Sequence, residues 1–335
     1  MTTYLDSVIY TLVSRNQDDT LSLKLREKPS DWWTVYTSSN SALPLNTINT
    51  IVIDKNDHKW LATNGKGLAI FDNNSFTVFN TANSGIPDNY VNDLLLESDG
   101  SVWVATNRGI AKFSGSEWIV YNRSNSQLPD DNVTCLAMDS RRNLWIGTFY
   151  GGLIKFDGLS MTNYNTDNSN MPVNRVASLA VDRNDQILIG TWGGGLVTFS
   201  GATWIVNNVV TSNIGNNYVT AITIDSKFDK WIGKTSQESF QGGVAVYNDK
   251  FFLNYNAYAS PLLGSIITDI AVGPADVIWI ASADGGLFRF DGSKWDRYTS
   301  SNSGLPNDVV NSVAIDKNGN KWVGSGGLAK YIGGK

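Results

Sequence analysis

Leu144-Trp145-Ile146-Gly147-Thr148 is one copy of a short apolar segment that recurs seven times along the 335-residue chain. Other copies read Val102-Trp103-Val104-Ala105-Thr106 and Lys59-Trp60-Leu61-Ala62-Thr63. Successive copies lie 42 or 43 residues apart, except for one interval of 48. The anchor of each repeat is the residue aligned with Trp145: Trp60, Trp103, Trp145, Leu188, Trp231, Trp279 and Trp322. A fixed period of this length is typical of a chain built from repeated supersecondary units.

Each repeat contains four short apolar runs separated by Asp, Asn and Gly residues. In the run Val133–Met138, the large residues Leu136 and Met138 alternate with the small residues Cys135 and Ala137. A period of two over so short a run is typical of a β-strand, and the polar clusters are hairpin signals. Four antiparallel strands repeated radially predict an all-β fold, a seven-bladed β-propeller.

The two ends of the chain predict how the ring closes. The last repeat has three runs near 309–332, and its missing fourth run is Trp32–Tyr36. Trp33 precedes Trp60 by 27 residues, just as Trp295 precedes Trp322. The N-terminal strand at about 32–36 is therefore predicted to complete blade seven and to leave no free inner edge. Residues 31–335 then form the propeller, and residues 1–30 form an extension.

The composition of the chain bears on its possible partners and on the compartment in which it acts. The formal net charge is −5 and no Lys/Arg stripe is present, so nucleic acid is not an expected partner. No apolar run approaches 18 residues, so no membrane span is expected. Residues 1–20 lack a basic start and make a poor signal peptide. Either a signal has been removed from this chain, or the protein is not exported by that route.

The pattern at 132–164 and 302–331 resembles the two-component regulator propeller repeat. It contains Val-x-x-Leu-Ala-x-Asp, Leu-Trp-Ile-Gly-Thr, Gly-Gly-Leu-x-x-Phe-Asp and Trp-x-x-Tyr, with Asn-Ser-x-Leu-Pro before the next unit. The resemblance covers about 31–335. In that family, such propellers often form the extracytoplasmic sensor half of hybrid sensor kinases from Bacteroidetes, with glycan breakdown products as typical signals.

The resemblance implies a propeller of the sensor type with a ligand face, in the periplasm, on the cell surface or secreted. This sequence shows one propeller, with no following immunoglobulin-like module and no kinase. It is therefore more similar to the stand-alone exported or surface propellers with this repeat, and the resemblance does not imply signalling by this chain.

Residues that depart from the repeat indicate a binding face. They concentrate in the loops after the second strands and just before the first strands, which emerge on one face of an antiparallel blade. Aromatic rings beside amides and Arg suit a neutral or weakly anionic sugar. The alternative is that these rings only cap the blade ends. The candidate ligand-binding residues are Phe149, Tyr150, Trp192, Asn107, Arg108, Asn64, Lys66, Gln237, Glu238, Tyr90 and Tyr218. Two further departures, Asp93 and Asp269, are expected to line the central channel with water.

The sequence argues against most enzyme chemistries. The single histidine, His58, lies in a turn between first and second strands, on the face opposite the aromatic loops, so a Ser-His or Cys-His relay is not available there. Cys135 occupies a small-residue core position. No catalytic residues, cofactor or metal site are expected. The carboxylates Glu238 and Asp284 keep a glycosidase or lyase as a remote alternative.

Residues 1–30 predict a β-hairpin outside the repeat. Leu21, Leu23 and Leu25 alternate with polar residues, and residues 8–13 are apolar on both faces. Such a hairpin is marginal alone. It either packs on its own propeller or joins a protein partner or a second copy through residues 4–27. The rival function is therefore a structural or assembly subunit.

Overall fold

The computed structural model describes residues 32–235, 242–255, 260, 262 and 266–333 in full. For part of the N-terminal extension it describes the backbone alone, as three antiparallel strands in one sheet: β1 (Thr2–Leu5), β2 (Val8–Arg15) and β3 (Leu21–Arg26). The side chains of residues 1–31 lie outside the described residues. Packing or association through residues 4–27 therefore stays a prediction.

Seven four-stranded antiparallel sheets form the propeller, and each contains the four apolar runs of one repeat. The innermost strands are β5 (Ile48–Ile53), β9 (Val91–Leu96), β13 (Val133–Met138), β17 (Val176–Val181), β21 (Val219–Ile224), β25 (Ile267–Val272) and β29 (Ser312–Ile315). The second strands are β6 (Lys59–Thr63), β10 (Val102–Thr106), β14 (Leu144–Thr148), β18 (Ile187–Thr191), β22 (Lys230–Lys234), β26 (Ile278–Ser282) and β30 (Lys321–Gly324).

The outer half of each blade consists of a third strand and an exposed edge strand. The third strands are β7 (Leu68–Phe71), β11 (Gly109–Phe113), β15 (Leu153–Phe156), β19 (Leu196–Phe199), β23 (Gly243–Tyr247), β27 (Gly286–Phe290) and β31 (Leu328–Tyr331). The edge strands are β4 (Trp33–Tyr36), β8 (Phe76–Phe79), β12 (Trp118–Tyr121), β16 (Met161–Tyr164), β20 (Trp204–Asn207), β24 (Phe252–Tyr255) and β28 (Trp295–Tyr298). A short 3₁₀ turn, Pro274–Asp276, precedes β26.

The predicted closure of the ring is confirmed. Strand β4 pairs antiparallel with β31, in a register that places Trp33 opposite Tyr331 and Tyr36 opposite Leu328. Each innermost strand contacts the innermost strands of both neighbouring blades, and β29 contacts β5. The first and last blades are thus joined both at the channel wall and through the N-terminal strand, which removes the free inner edges of an open array.

Close packing between blades explains the alternation of large and small residues. The second strands are buried along their whole length. A β-carbon added to Gly147 would lie 2.4 Å from Cys135 Sγ and 2.6 Å from Val176 of the next blade. Because glycine has no β-carbon, Gly147 lets the next blade approach closely.

Aromatic rings join each blade to its successor. The ring of Trp103 lies 6.1 Å from Phe156 of the next blade, and that of Trp145 lies 5.9 Å from Phe199. Trp322 of blade seven reaches Phe71 of blade one at 5.9 Å, so the same contact closes the circle. The core is therefore a ring of inter-blade clusters. Within the described part of the chain, no helix is long and apolar enough to cross a lipid bilayer.

Candidate functional site

One end of the channel opens into a cavity of 540 Å³ at the face where the loops between second and third strands emerge. Most of its lining is uncharged and polar, with two aromatic rings and one guanidinium in the wall. Its lining residues are Asn49, Asn92, Asn107, Asn132, Thr134, Phe149, Arg175, Val176, Ala177, Trp192, Thr220, Thr235, Ile266, Ile267, Thr268 and Asn311. A volume of this size is within the usual range for small-molecule pockets.

The wall on blades three to five is a row of stacked side chains, which we call the rim stack: Tyr150, Phe149, Arg175, Trp192 and Tyr218. The guanidinium carbon of Arg175 lies 3.9 Å from the centre of the Phe149 ring and 4.2 Å from that of Trp192. Tyr150 packs edge-on against Phe149 at 4.5 Å, and Tyr218 against Trp192 at 5.4 Å. Cation–π contacts of this kind hold Arg175 in one orientation beside the cavity.

Backbone pairing between first and second strands places the rim stack. In blades one to six, the residue before the first strand accepts a hydrogen bond from the residue after the second strand of the same blade. In blade four the Trp192 N–H donates to Arg175 O at 3.0 Å, and in blade three the Phe149 N–H donates to Asn132 O at 3.0 Å. Arg175 therefore lies beside Trp192 of its own blade and faces Phe149 of the preceding blade.

A belt of hydrogen bonds surrounds the floor of the cavity. Asn49 and Asn92 donate from Nδ2 to carbonyls of the following blade, and Thr134, Thr220 and Thr268 donate from Oγ1, over 2.5 to 2.8 Å. None of the described hydrogen bonds uses Oδ1 of Asn49 or Asn92. These oxygens, together with the threonine lone pairs, are acceptors that ligand hydroxyl groups can use.

Two carboxylates lie one layer deeper, where Asp93 and Asp269 line a channel cavity of 320 Å³. Each accepts a backbone N–H from the following blade, Asp93 from Leu136 at 2.8 Å and Asp269 from Val313 at 2.9 Å. Burial raises the pKa of Asp93 to about 7, with a smaller contribution from the charge of Asp269 and an opposing one from the backbone hydrogen bonds. Burial likewise raises the pKa of Asp269 to about 6, against the same kind of opposing hydrogen bonds. The carboxyl groups therefore tie neighbouring blades together, and the channel below the cavity becomes negatively charged as the pH rises through about 6 to 7.

The predicted site residues divide into three groups. Phe149, Trp192 and Asn107 line the cavity, and Tyr150 and Tyr218 flank it within the rim stack.

The second group lies outside the cavity. Tyr90 is 48% exposed and covers Gly65, while Asn64 and Lys66 are exposed beside it. Arg108 pairs with Asp88 at 3.4 Å and borders a separate depression. The third group, Gln237 and Glu238, lies outside the described residues, as does any pairing of Glu238 with Asp284.

Sequence reasoning missed Arg175. It occupies the position just before the first strand, the same repeat position as Tyr90 and Tyr218. The other blades carry Thr47, Asn132, Ile266 and Val309 at that position, so Arg175 is the one charged residue of the set. Comparing all seven copies of the position would have identified it.

The opposite face carries a repeated polar arrangement, which we call the turn clasp. In blade seven, Asp316 Oδ1 accepts the backbone N–H groups of Asn318 and Asn320, and Oδ2 accepts Trp322 Nε1 at 3.0 Å. Blades one, three and five repeat the pattern with Asp54, Asp139 and Asp225. His58 belongs to the clasp of blade one, where its Nδ1 lies 3.0 Å from Asp54 Oδ2. The clasps use their acidic oxygens internally.

Sequence comparison identifies the repeat in two segments. Residues 85–108 and 127–150 match the sequence profile of the two component regulator propeller, as the motifs predicted. No curated protein matches the chain by sequence.

Solved structures share the fold at low sequence identity. The extracellular domain of BT3049 from B. thetaiotaomicron, described as a hybrid two component system, is 23% identical with a TM-score of 0.75, over 89% of this chain and 41% of that one. PorZ, a surface component of the type-IX secretion system of Porphyromonas gingivalis, is 17% identical with a TM-score of 0.68, over 97% and 49%. Virginiamycin B lyase from Staphylococcus aureus, an inactive histidine variant with quinupristin, is 10% identical with a TM-score of 0.70, over 89% and 98%. The chain thus spans about two fifths of the length of the BT3049 extracellular domain that it matches.

Proposed function

We propose that this chain, which carries the two-component regulator propeller repeat, is a non-enzymatic ligand-binding propeller of the sensor type. Its ligand, a glycan or a similar small molecule, binds in the 540 Å³ cavity beside the rim stack. The observation that carries the proposal is the combination of half-buried rings with a belt of unused oxygen acceptors around one open cavity.

The chemistry of the cavity suits a sugar. Sugar rings present C–H faces that pack on aromatic surfaces, and hydroxyl groups that need donors and acceptors. Phe149 and Trp192 are half-buried and leave ring surface accessible at the wall. Asn49, Asn92 and Asn107 supply amide groups at the floor and rim.

The cavity lacks the groups that an acid–base mechanism would need. No Asp, Glu, His or Cys is among its lining residues in the described part of the chain. Asp93 and Asp269, one layer below, are held by backbone amides of the next blade. In virginiamycin B lyase, replacing one histidine leaves the enzyme inactive. The single histidine of this chain, His58, lies on the opposite face, which supports a binding role.

The expected compartment follows from the sensor resemblance. BT3049 was solved as an extracellular domain, and PorZ is described as a surface component. These descriptions support our proposal that this chain acts in the periplasm or at the cell surface.

Binding to a panel of soluble oligosaccharides, measured by isothermal titration calorimetry, tests the proposal. We expect Trp192→Ala to lose binding of any hit while remaining folded, since Trp192 lies outside the inter-blade clusters. Phe228→Ala is the matched control, because Phe228 is a partly exposed ring that contacts Arg183 on the opposite face. Equal loss in both variants, or full binding in Trp192→Ala, would place the site elsewhere.

A further inference from the structure

We infer that the ligand carries a carboxylate and that Arg175 binds it at the rim of the cavity. The inference rests on the proposed function and names the ligand class: an acidic sugar, such as a uronate-containing oligosaccharide, rather than a neutral one. Its basis is the geometry of Arg175, the lack of a counter-ion for it among the described residues, and the layering of charge along the channel.

Stacking leaves only the edge of the guanidinium available for hydrogen bonding. The guanidinium carbon lies over both rings, 3.9 Å from the centre of Phe149 and 4.2 Å from that of Trp192. The N–H groups of a guanidinium radiate in its plane, so they remain directed away from both rings. None of the salt bridges or side-chain hydrogen bonds of the described residues involves these N–H groups. A planar fork held in this way matches the two oxygens of a carboxylate.

Among the described residues, Arg108, Arg142 and Arg289 are paired with carboxylates, whereas Arg123, Arg141, Arg183 and Arg297, like Arg175, form no salt bridge. Arg142 bonds Glu97, Arg289 bonds Asp291 and Asp296 at 3.1 and 3.0 Å, and Arg108 lies 3.4 Å from Asp88. Arg183 stacks on Phe228 at 3.7 Å, but it is exposed to solvent on the opposite face. Arg175 is half-buried at a cavity, where an unpaired cation gains more from an incoming anion than it would in bulk water.

Charge along the channel defines where the anionic group can lie. Arg175 is at the rim, and the carboxylates of Asp93 and Asp269 lie one layer below. Above about pH 7, where both carboxyl groups are ionised, like charges repel, so an anionic group is disfavoured deeper in the channel and favoured beside Arg175. The neutral part of the ligand then lies over the belt formed by Asn49, Asn92 and the threonines.

The test measures acidic oligosaccharides against their carboxyl-reduced counterparts. Trigalacturonate, a hyaluronan tetrasaccharide and an alginate trimer are each titrated with the full chain at low salt, in parallel with the reduced form. At least one acidic member is expected to bind tenfold or more tightly than its reduced form. Arg175→Gln should reduce that preference to less than twofold, whereas Arg183→Gln, the matched control on the opposite face, should retain it. Arg175→Lys keeps the charge without the fork and should give an intermediate preference.

The outcomes separate this inference from the proposed function. Equal affinity for acidic and reduced forms would overturn the carboxylate inference and leave a neutral-sugar site standing. Equal weakening of both forms by Arg175→Gln would also overturn it, because the side chain would then act only through packing. If no member of either series bound, and neutral oligosaccharides did not bind either, the proposed function would fail together with the inference. Thermal unfolding of each variant establishes that it is folded.

Discussion

The two faces of the propeller use the same kinds of side chain in opposite ways. On one face, each complete turn clasp sets a tryptophan against an acidic residue six positions earlier, and the acidic oxygens are fully engaged by N–H groups. On the other face, the rim stack sets Trp192 against Arg175, whose N–H groups have no acidic partner among the described residues. The clasp recurs around the ring, whereas the rim stack occurs once. The side chains of the repeated clasps thus satisfy each other's hydrogen bonds and stabilise the fold. In the rim stack, which departs from the repeat, the N–H groups of Arg175 remain available to a ligand.

The physical reason lies in what each region contacts. A clasp tryptophan packs on the third strand of the next blade, and the four blades with a complete clasp use the same solution for the same contact. The rim stack borders a cavity, where no neighbouring blade imposes a common shape. The predictions below test this contrast in order of expected size.

The largest effect is expected from Trp322→Ala in the clasp of blade seven. Trp322 is 1% exposed, contacts Phe71 across the closing interface and lies 4.2 Å from the ammonium of Lys59. Truncating a buried aromatic ring in a core costs about 3–5 kcal/mol. Urea unfolding should show this loss in the free energy of unfolding, while ligand affinity at a temperature where the variant is folded stays unchanged. A loss below about 1 kcal/mol would show that the clasp tryptophans contribute little to the stability of the fold, contrary to the distinction drawn between the two faces.

The repeat explains how much of this architecture could be predicted. The strand order, the seven blades and the closure by β4 follow from spacing, because a repeated contact requires a repeated residue. Phe149 and Trp192 stood out because they replace the Asn found at that position in blades one and two. Arg175 could be identified from the sequence only as the one charged residue at its repeat position, because its contacts involve rings from two different blades that meet in the folded ring.

Lys234 shows that a departure from the repeat can also be structural. It ends the second strand of blade five, where Thr63, Thr106, Thr148 and Thr191 close their own turns with a hydroxyl. Lys234 is buried and donates instead to Ile214 O at 2.7 Å and Asn254 Oδ1 at 2.6 Å. Burial lowers its pKa from 10.5 to about 7.

This shift predicts a stability that rises with pH. The unfolded chain keeps the Lys234 proton up to pH 10.5, whereas the folded protein releases it near pH 7, so between these values unfolding takes up a proton. The free energy of unfolding then rises with pH, with a limiting slope of about 1.4 kcal/mol per pH unit.

The variant Lys234→Thr, which carries the residue found at this position in blades one to four, isolates this contribution to the free energy of unfolding. We expect the difference in unfolding free energy between the wild type and Lys234→Thr to shift in favour of the wild type from pH 7 to pH 9. Urea titrations of both proteins across that range provide the measurement. Parallel curves would mean that the folded protein retains the Lys234 proton, and that burial at this position does not shift its pKa.

The smallest loss of stability is expected from Trp192→Ala, the counterpart of Trp322→Ala on the cavity face. Trp192 is half-buried, its backbone hydrogen bond to Arg175 does not need the side chain, and its ring contacts are those with Arg175 and Tyr218. A partly exposed cation–π contact and one edge-on aromatic pair together contribute about 1–2 kcal/mol. The same urea titration should therefore show a higher free energy of unfolding for this variant than for Trp322→Ala, although Trp192→Ala is the variant expected to lose ligand binding. If the two tryptophans proved equally costly to remove, the rim stack would be a structural element of the blades, and the distinction between the two faces would not hold.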